Sequence, residues 1–290
     1  MHILYPSQVA FKEEIFKEAL KRIGGMEQAR LEPMIPSPLE LGYRDRIRLL
    51  VRGGRVGYRA GESREIVPID ACLLAAEEIN LAIPEVEGAN EVEIRTENDG
   101  IEVIKNPKKT DLPFRQVNPR QNERLVEEVM TLLGLKGGGR ILDLFAGNGN
   151  FSIPVAQEAF EVVAVELNST AIREGTARAK REMMSNIAWR KSPVLSALKD
   201  FEKRGERFDA VILDPPRRGA KEEVAKISSL QPQKIVYISC DPATLARDIR
   251  TLRKVGYALD VVQPIDMFPQ THHIEGIALL KKSRVESQSR

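Results

Sequence analysis

The apolar positions of this chain change period along its length, and the changes divide it. Over residues 8–23, Phe11, Ile15, Ala19, Leu20 and Ile23 recur at helical spacing and Gly24-Gly25 follows as a stop, so an amphipathic helix is predicted. From residue 33 to about 109 the pattern shortens to β-like runs, RIRLLVRGG, RVGYRA, NEVEIRTE and GIEVIKN, with a helix expected over residues 71–81. Gly53-Gly54 between the first two runs reads as a hairpin turn. NPKKTDLP then reads as a linker.

Beyond the linker, helix and strand signals alternate. NERLVEEVMTLLG sets Leu125, Val126, Val129, Leu132 and Leu133 on one helical face. GGRILDLFAG, EVVAVEL, FDAVILDPP and KIVYISC are short runs rich in Val, Ile and Leu. Apolar runs of this kind separated by helices predict a parallel sheet covered on both faces, and ALDVVQPI with HIEGIALLKK is expected to close its edge as a hairpin-like pair. The boundaries predicted are 1–111 for a smaller α+β domain and 112–290 for a doubly wound α/β domain. SRVESQSR at the end is expected to fray.

Composition narrows the class. Hydrophobic residues make up 42% and charged residues 30% of 290, ordinary for a globular chain with a sizeable core. No run approaches the roughly 20 apolar residues of a bilayer span, and the start lacks a basic stretch followed by an apolar one, so a cytoplasmic protein without a membrane partner is expected. The net charge of +2 hides an uneven distribution: residues 43–64 carry seven arginines against Asp45 and Glu62, a local balance of +5. Cys72 and Cys240 are the only cysteines, and each is read as a lone thiol.

ILDLFAGNGNFS places Gly147 and Gly149 after the first strand of the α/β domain, where backbone N–H groups can approach a ligand. A dinucleotide fingerprint would need a third glycine at position 152; Ser152 stands there, which disfavours a pyrophosphate and an NAD-dependent oxidoreductase. Glu166 ends the second strand, where a carboxylate can accept both hydroxyls of a ribose, and Asp143, two residues before Phe145, is expected on the same face as Phe145 near the loop. D-L-F-A-G-N-G with that Glu resembles an S-adenosylmethionine-dependent methyltransferase. Arg217 follows Pro215-Pro216 where enzymes that methylate base amino groups carry an aromatic residue, which argues against that chemistry. Cys240 ends a strand and Asp241-Pro242 begins a helix, so the thiol is expected beside a helix N-terminus that lowers its pKa from about 8.5, with Asp241 opposing.

FRQVNP, LDLFAGNGNFS, LDPPRRG, VYISCDPATLARD and MFPQTHHIEGIALL stand in the order and spacing of the RNA uracil-5-methyltransferase family, which the chain resembles. HILYPSQVAFKEEIFKEALKRIGG and IVPIDACLLA are similar to the central domain of its ribosomal members, and FRQVN is closer to those than to the transfer RNA members. The resemblance implies a class I, Rossmann-like α/β methyltransferase domain with a mostly parallel seven-stranded sheet and a smaller N-terminal α+β domain. It implies Cys240 as nucleophile, Glu275 as base, and Gln116, Phe145, Asn150, Glu166 and Asp214 around the cofactor and the target base, with Gly147 at the cofactor. Asp214 or Arg217 would bond the uracil edge, and Arg52, Arg55 and Arg59, with Lys105, Lys108 and Lys109, would contact RNA phosphates; a solvated strand face is the plainer reading of the arginines. Gln116 and Asn118 can equally cap the helix that begins near Pro119.

The partners implied are S-adenosylmethionine and RNA, ribosomal RNA favoured over transfer RNA, with a monomer expected. Many family members also carry a small N-terminal barrel and three cysteines that join a later one around an iron–sulfur cluster. Cys72 matches the later one and its partners are absent, so no cluster is expected in this polypeptide. His272 and His273 lack a matching cluster of ligands, and no metal is expected. A noncatalytic RNA-binding or assembly factor and an RNA cytosine-5-methyltransferase are the alternatives; the latter usually has Pro-Cys where this chain has Asp-Pro-Pro-Arg.

Overall fold

In the computed structural model, which describes residues 3–61, 65–97, 100–108, 115–135 and 137–283, the chain opens with α1 (Tyr5–Arg22). Pro6 starts the helix and Lys21 and Arg22 sit in its last turn, where cations complement the helix dipole. Its buried face is Tyr5, Lys12, Phe16 and Leu20, which shares only Leu20 with the predicted stripe: Phe11 and Ile15 are 59% and 54% exposed. Phe16 and Leu20 pack into the same core as the α/β sheet. Fully buried side chains of this size contribute roughly 2–3 kcal/mol each, enough to attach the helix there.

The domain division therefore differs from the one expected. Residues 1–36 group with 124–290 as one unit, and residues 37–123 form the other, in place of a cut at 111. The second unit holds β1 (Arg46–Arg52), β2 (Arg55–Arg59), β3 (Ile66–Pro68), α2 (Glu77–Ala82), β4 (Glu91–Glu97) and β5 (Gly100–Lys105). The strands pair antiparallel in the order β3-β2-β1-β4-β5. Ile47, Leu49, Val51, Val92 and Ile94 point to one face, where Ile79 and Ile83 cover them. Gly53 and Gly54 make the tight turn, both at positive φ, as a two-residue hairpin with this twist demands. The helix expected over 71–81 is confined to α2. The backbone before it is taken by Arg44, which donates to the Leu74 carbonyl and accepts from the Ala76 N–H, while Asn80 Oδ1 accepts from the Cys72 N–H.

After α3 (Pro119–Leu133), the first unit continues with β6 (Arg140–Leu144), α4 (Ser152–Ala156), β7 (Glu161–Glu166), α5 (Ser169–Arg181), β8 (Ile187–Lys191), α6 (Val194–Lys203), β9 (Ala210–Leu213), α7 (Lys221–Ile227), β10 (Lys234–Ser239), α8 (Pro242–Lys254), β11 (Tyr257–Ile265) and β12 (Glu275–Lys282). The seven strands run in the order β11-β12-β10-β9-β6-β7-β8. Only β12 pairs antiparallel to its neighbours. Alternation along each strand feeds two cores: Ile235 and Tyr237 of β10 enter one with α8, and Val236 and Ile238 enter the other with α3. The last two strands do pair, but β12 is inserted beside β10 and only β11 is at the edge. Residues 30–35 cover that edge, bridging Leu31 to Val262 and Ile35 to Ile265. Among the described residues no helix is long and apolar enough to cross a membrane.

Candidate active site

Three strands deliver acid groups to the carboxyl end of the sheet. β6 and β9 are adjacent and parallel, and the strand order reverses there, which is where open α/β sheets form their ligand crevice. Asp143 on β6 is fully buried; the Ser152 hydroxyl donates to its Oδ2, and Oδ1 has no partner. Ser152, set aside above as a missing glycine, thus has a positive role beside the loop. Burial pushes the Asp143 carboxyl up to about 7. Asp214, just past β9, is likewise shifted upward by burial and by Asp143.

Cys240 follows β10. Ser239 pairs with Gly276 in the antiparallel ladder to β12, and one more step of that register sets Cys240 beside Glu275. Glu275 is 2% exposed, and burial followed by the Asp214 charge raises its affinity for a proton. Asp241 caps α8, accepting from the Thr244 N–H at 2.7 Å, and Pro242 follows as expected. The thiol, however, moves opposite to the direction expected from the helix terminus: burial, then Glu275 and Asp214, push it up to about 11, with Arg217 opposing. Burial, joined by two carboxylates, outweighs one helix end, and none of these could be read from a local motif.

Arg217 is exposed, its guanidinium 3.0 Å from a His273 ring nitrogen. A network absent from the sequence reading supports its loop. Buried Asp248 on α8 accepts from the Tyr237 hydroxyl and the Ala220 N–H at 2.7 Å each and from Arg247 Nε at 2.8 Å, while Arg247 donates to the Arg218 carbonyl. The available signal was an acid inside the apolar stripe Leu245, Ile249, Leu252.

A cleft of about 380 Å³ opens beside these strand ends, lined by Phe145, Glu166, Leu167, Pro193, Val194, Arg218 and Gly219. Glu166 Oε2 accepts from the Gly147 N–H at 2.9 Å, and Oε1 from the Leu167 and Asn168 N–H groups at 2.7 Å each. Phe145 holds a φ of 63°, unusual for an aromatic residue and a frequent mark of a ligand loop. A fixed carboxylate beside apolar walls suits a nucleoside, whose ribose hydroxyls a carboxylate can accept and whose base apolar side chains such as Phe145, Pro193 and Val194 can flank. S-adenosylmethionine fits this donor set. Pro193 and Val194 were not anticipated. Asn150 lies in the loop before α4 and does not line the cleft.

Gln116, Arg52, Arg55 and Arg59 belong to the other unit. There Asn118 is a helix cap, its Oδ1 accepting from the Gln121 N–H, as the plainer reading had it. Arg46, Arg48, Arg52, Arg55 and Arg59 alternate onto one face of the sheet. Arg48 pairs with Glu91 and Glu93, and Arg46 donates to the Arg115 carbonyl, whereas Arg52, Arg55 and Arg59 are exposed. Lys105 lies opposite Val92 and so on the other face; Lys109 lies outside the described residues. Cys72 accepts from the Tyr58 hydroxyl at 3.3 Å, and its single thiol does not fit a cluster that takes four thiolates. Among the described residues no three His, Cys, Asp or Glu side chains converge as metal ligands.

Comparison with known proteins agrees with this architecture. The tRNA (Uracil-5-)-methyltransferase family profile matches residues 102–283. The 23S rRNA (uracil(1939)-C(5))-methyltransferase RlmD of Pseudomonas fluorescens is 32% identical, over 98% of this chain and 76% of that protein. An RNA methyltransferase of Aquifex aeolicus is 28% identical, over 97% of this chain and 80% of that one. The Pyrococcus abyssi tRNA (uracil-54, C5)-methyltransferase, solved with S-adenosyl-L-homocysteine, superposes with a TM-score of 0.72 and 25% identity, covering 96% of this chain and 84% of that one. With a nucleoside cleft at the switch point, a thiol set against a buried carboxyl, and matches spanning nearly the whole length, the chain belongs to the RNA uracil-5-methyltransferase family.

Proposed function

We propose that the protein methylates carbon 5 of a uridine in RNA, with S-adenosylmethionine as cofactor and ribosomal RNA as the favoured substrate. The observation that carries this is the pairing of Ser239 with Gly276, whose neighbours Cys240 and Glu275 lie near enough for the carboxyl charge to act on the thiol. Carbon 5 of uracil is a weak nucleophile, so the reaction needs a thiolate and a base on one carbon pair. The Cys240 sulfur bonds to carbon 6, and the π electrons move toward carbon 5 and the carbon 4 carbonyl, making carbon 5 nucleophilic. Bound S-adenosylmethionine supplies an electrophilic methyl group. Carbon 5 then carries both a hydrogen and the methyl; Glu275 takes the proton, its electron pair re-forms the double bond, and the carbon–sulfur bond breaks to return the thiolate. Burial makes Glu275 a stronger base than an exposed carboxylate, and Arg217 offsets the charge of the thiolate.

Phe145, Gly147, Glu166 and Asp214 would hold the cofactor side of the site, with Asn150 and Gln116 assigned by family resemblance. Arg217 would meet the uracil edge. Arg52, Arg55 and Arg59, exposed and without a carboxylate partner among the described residues, would meet phosphates. A uridine within structured RNA must be flipped out to reach a half-buried thiol, which favours loops and junctions. The setting is the cytoplasm and the working unit a monomer. The test is direct: the protein and a Cys240→Ala variant are incubated with labelled S-adenosylmethionine and RNA lacking 5-methyluridine, then digested to nucleosides. Label in 5-methyluridine with the unaltered protein alone is expected; cofactor binding with no labelled 5-methyluridine would sink the proposal.

A further inference from the structure

We propose that α1 positions Glu275, with Lys12 as its principal anchor. Gln8, Lys12 and Phe16 stand one turn apart on a single face of α1, and all three grip the segment that carries Glu275. Gln8 Nε2 donates to Gln270 Oε1 at 2.8 Å, and the Gln270 N–H donates back to Gln8 Oε1 at 3.1 Å. Lys12 Nζ donates to Asp266 Oδ1 at 2.7 Å and to the Phe268 carbonyl at 3.0 Å. Phe16 lies against Gly276: a Cβ there would fall 2.4 Å from its ring, so the residue after Glu275 must be glycine for the ring to seat. The contacts bracket Glu275 in sequence, three before it and one after.

Two physical arguments connect this grip to the base. The β11–β12 ladder sets Glu275 opposite Ile265, and the link between them, too long for a tight turn, is held both by its own bonds, such as the Thr271 hydroxyl to the Phe268 carbonyl, and by α1. The Lys12–Asp266 pair is nearly excluded from water, at 4% and 0% exposure, and Asp266 Oδ2 has no partner. Such a pair gains little stability over an apolar one, but it fixes orientation. A catalytic base displaced by about 1 Å loses on the order of 100-fold in rate. Lys12 is thus a positioning residue.

The inference rests on Glu275 as the base, and the experiment separates the two. RNA with ordinary uridine and labelled S-adenosylmethionine is given to the unaltered protein, to Glu275→Gln, to Gln8→Ala, and to a Lys12→Met/Asp266→Asn double variant that leaves no lone buried charge. Release of 5-methyluridine and the methyl-labelled protein–RNA adduct surviving denaturation are followed, with thermal melts. A misplaced base slows only removal of the carbon 5 proton. The double variant is therefore expected to lose about 10–100-fold in release while accumulating adduct, as Glu275→Gln does, with KM for RNA unchanged. Gln8→Ala is expected to move the same way by less. Loss of product in step with loss of folded protein, without adduct, overturns the proposal, as does unchanged release. If Glu275→Gln turns over normally, the base assignment itself falls and this inference with it.

Discussion

Of the groups at the site whose proton affinity is raised, Cys240 and Asp143 each give a measurable sign. Cys240 is held up near 11 by burial, Glu275 and Asp214, and eased by Arg217. In a Cys72→Ser background, its alkylation rate is expected to climb with pH through 9 and beyond. Glu275→Gln removes an opposing charge and shifts that profile to lower pH, while Arg217→Ala shifts it higher; coincident profiles would refute the electrostatic account. Asp143 is raised to about 7, against about 4 when unfolded. Between those values the folded state holds a proton the unfolded state has lost, so this contribution to stability is complete below pH 4 and gone as pH rises through 7. Asp143→Asn, which can still accept from Ser152, is expected to stabilise by roughly 1–3 kcal/mol at pH 8 and by little at pH 4, read as denaturation midpoints. Both acids could be named from the sequence, Cys240 by its place before Asp-Pro and Asp143 by its place on a strand. Their proton affinities could not, because those depend on neighbours from other strands.

At the level of elements, apolar runs located β6, β7, β9 and β10, since strands buried on both faces demand them, whereas β3 and β8, with no fully buried residue, were not anticipated. Helix stripes were less reliable. On α1 the apolar count pointed to Phe11 and Ile15, and the buried face contains Lys12 instead. A lysine enters a core only where a partner meets it, and Asp266 lies 254 residues away. The β1–β2 hairpin, by contrast, was legible from Gly53-Gly54, and its register determines that Arg52, Arg55 and Arg59 share a face. Replacing these three by alanine is expected to weaken RNA binding across sequences and to flatten the plot of log affinity against log salt by about 2 units. An unchanged slope would return the arginines to a solvated face.

For the whole molecule, the consequence of the cleft is coupling between ligand and fold. S-adenosyl-L-homocysteine at 100 times its Kd is expected to stabilise the protein by about 3 kcal/mol in thermal unfolding, and Glu166→Ala to abolish most of that shift while leaving the unliganded midpoint near its original value. The sequence by itself determined the alternation of helices with the central strands β6, β7, β9 and β10, the loop after β6, the Glu at the end of β7 and the thiol after β10, because each is written in neighbouring residues. It did not determine where the chain divides, or that Cys240 faces Glu275 across a ladder. Only the tertiary structure decided that β12 inserts beside β10 and that α1 returns to grip the segment before it. Register between distant segments is set by which side chains can share a core and which charges can meet inside it, and no local period encodes that choice.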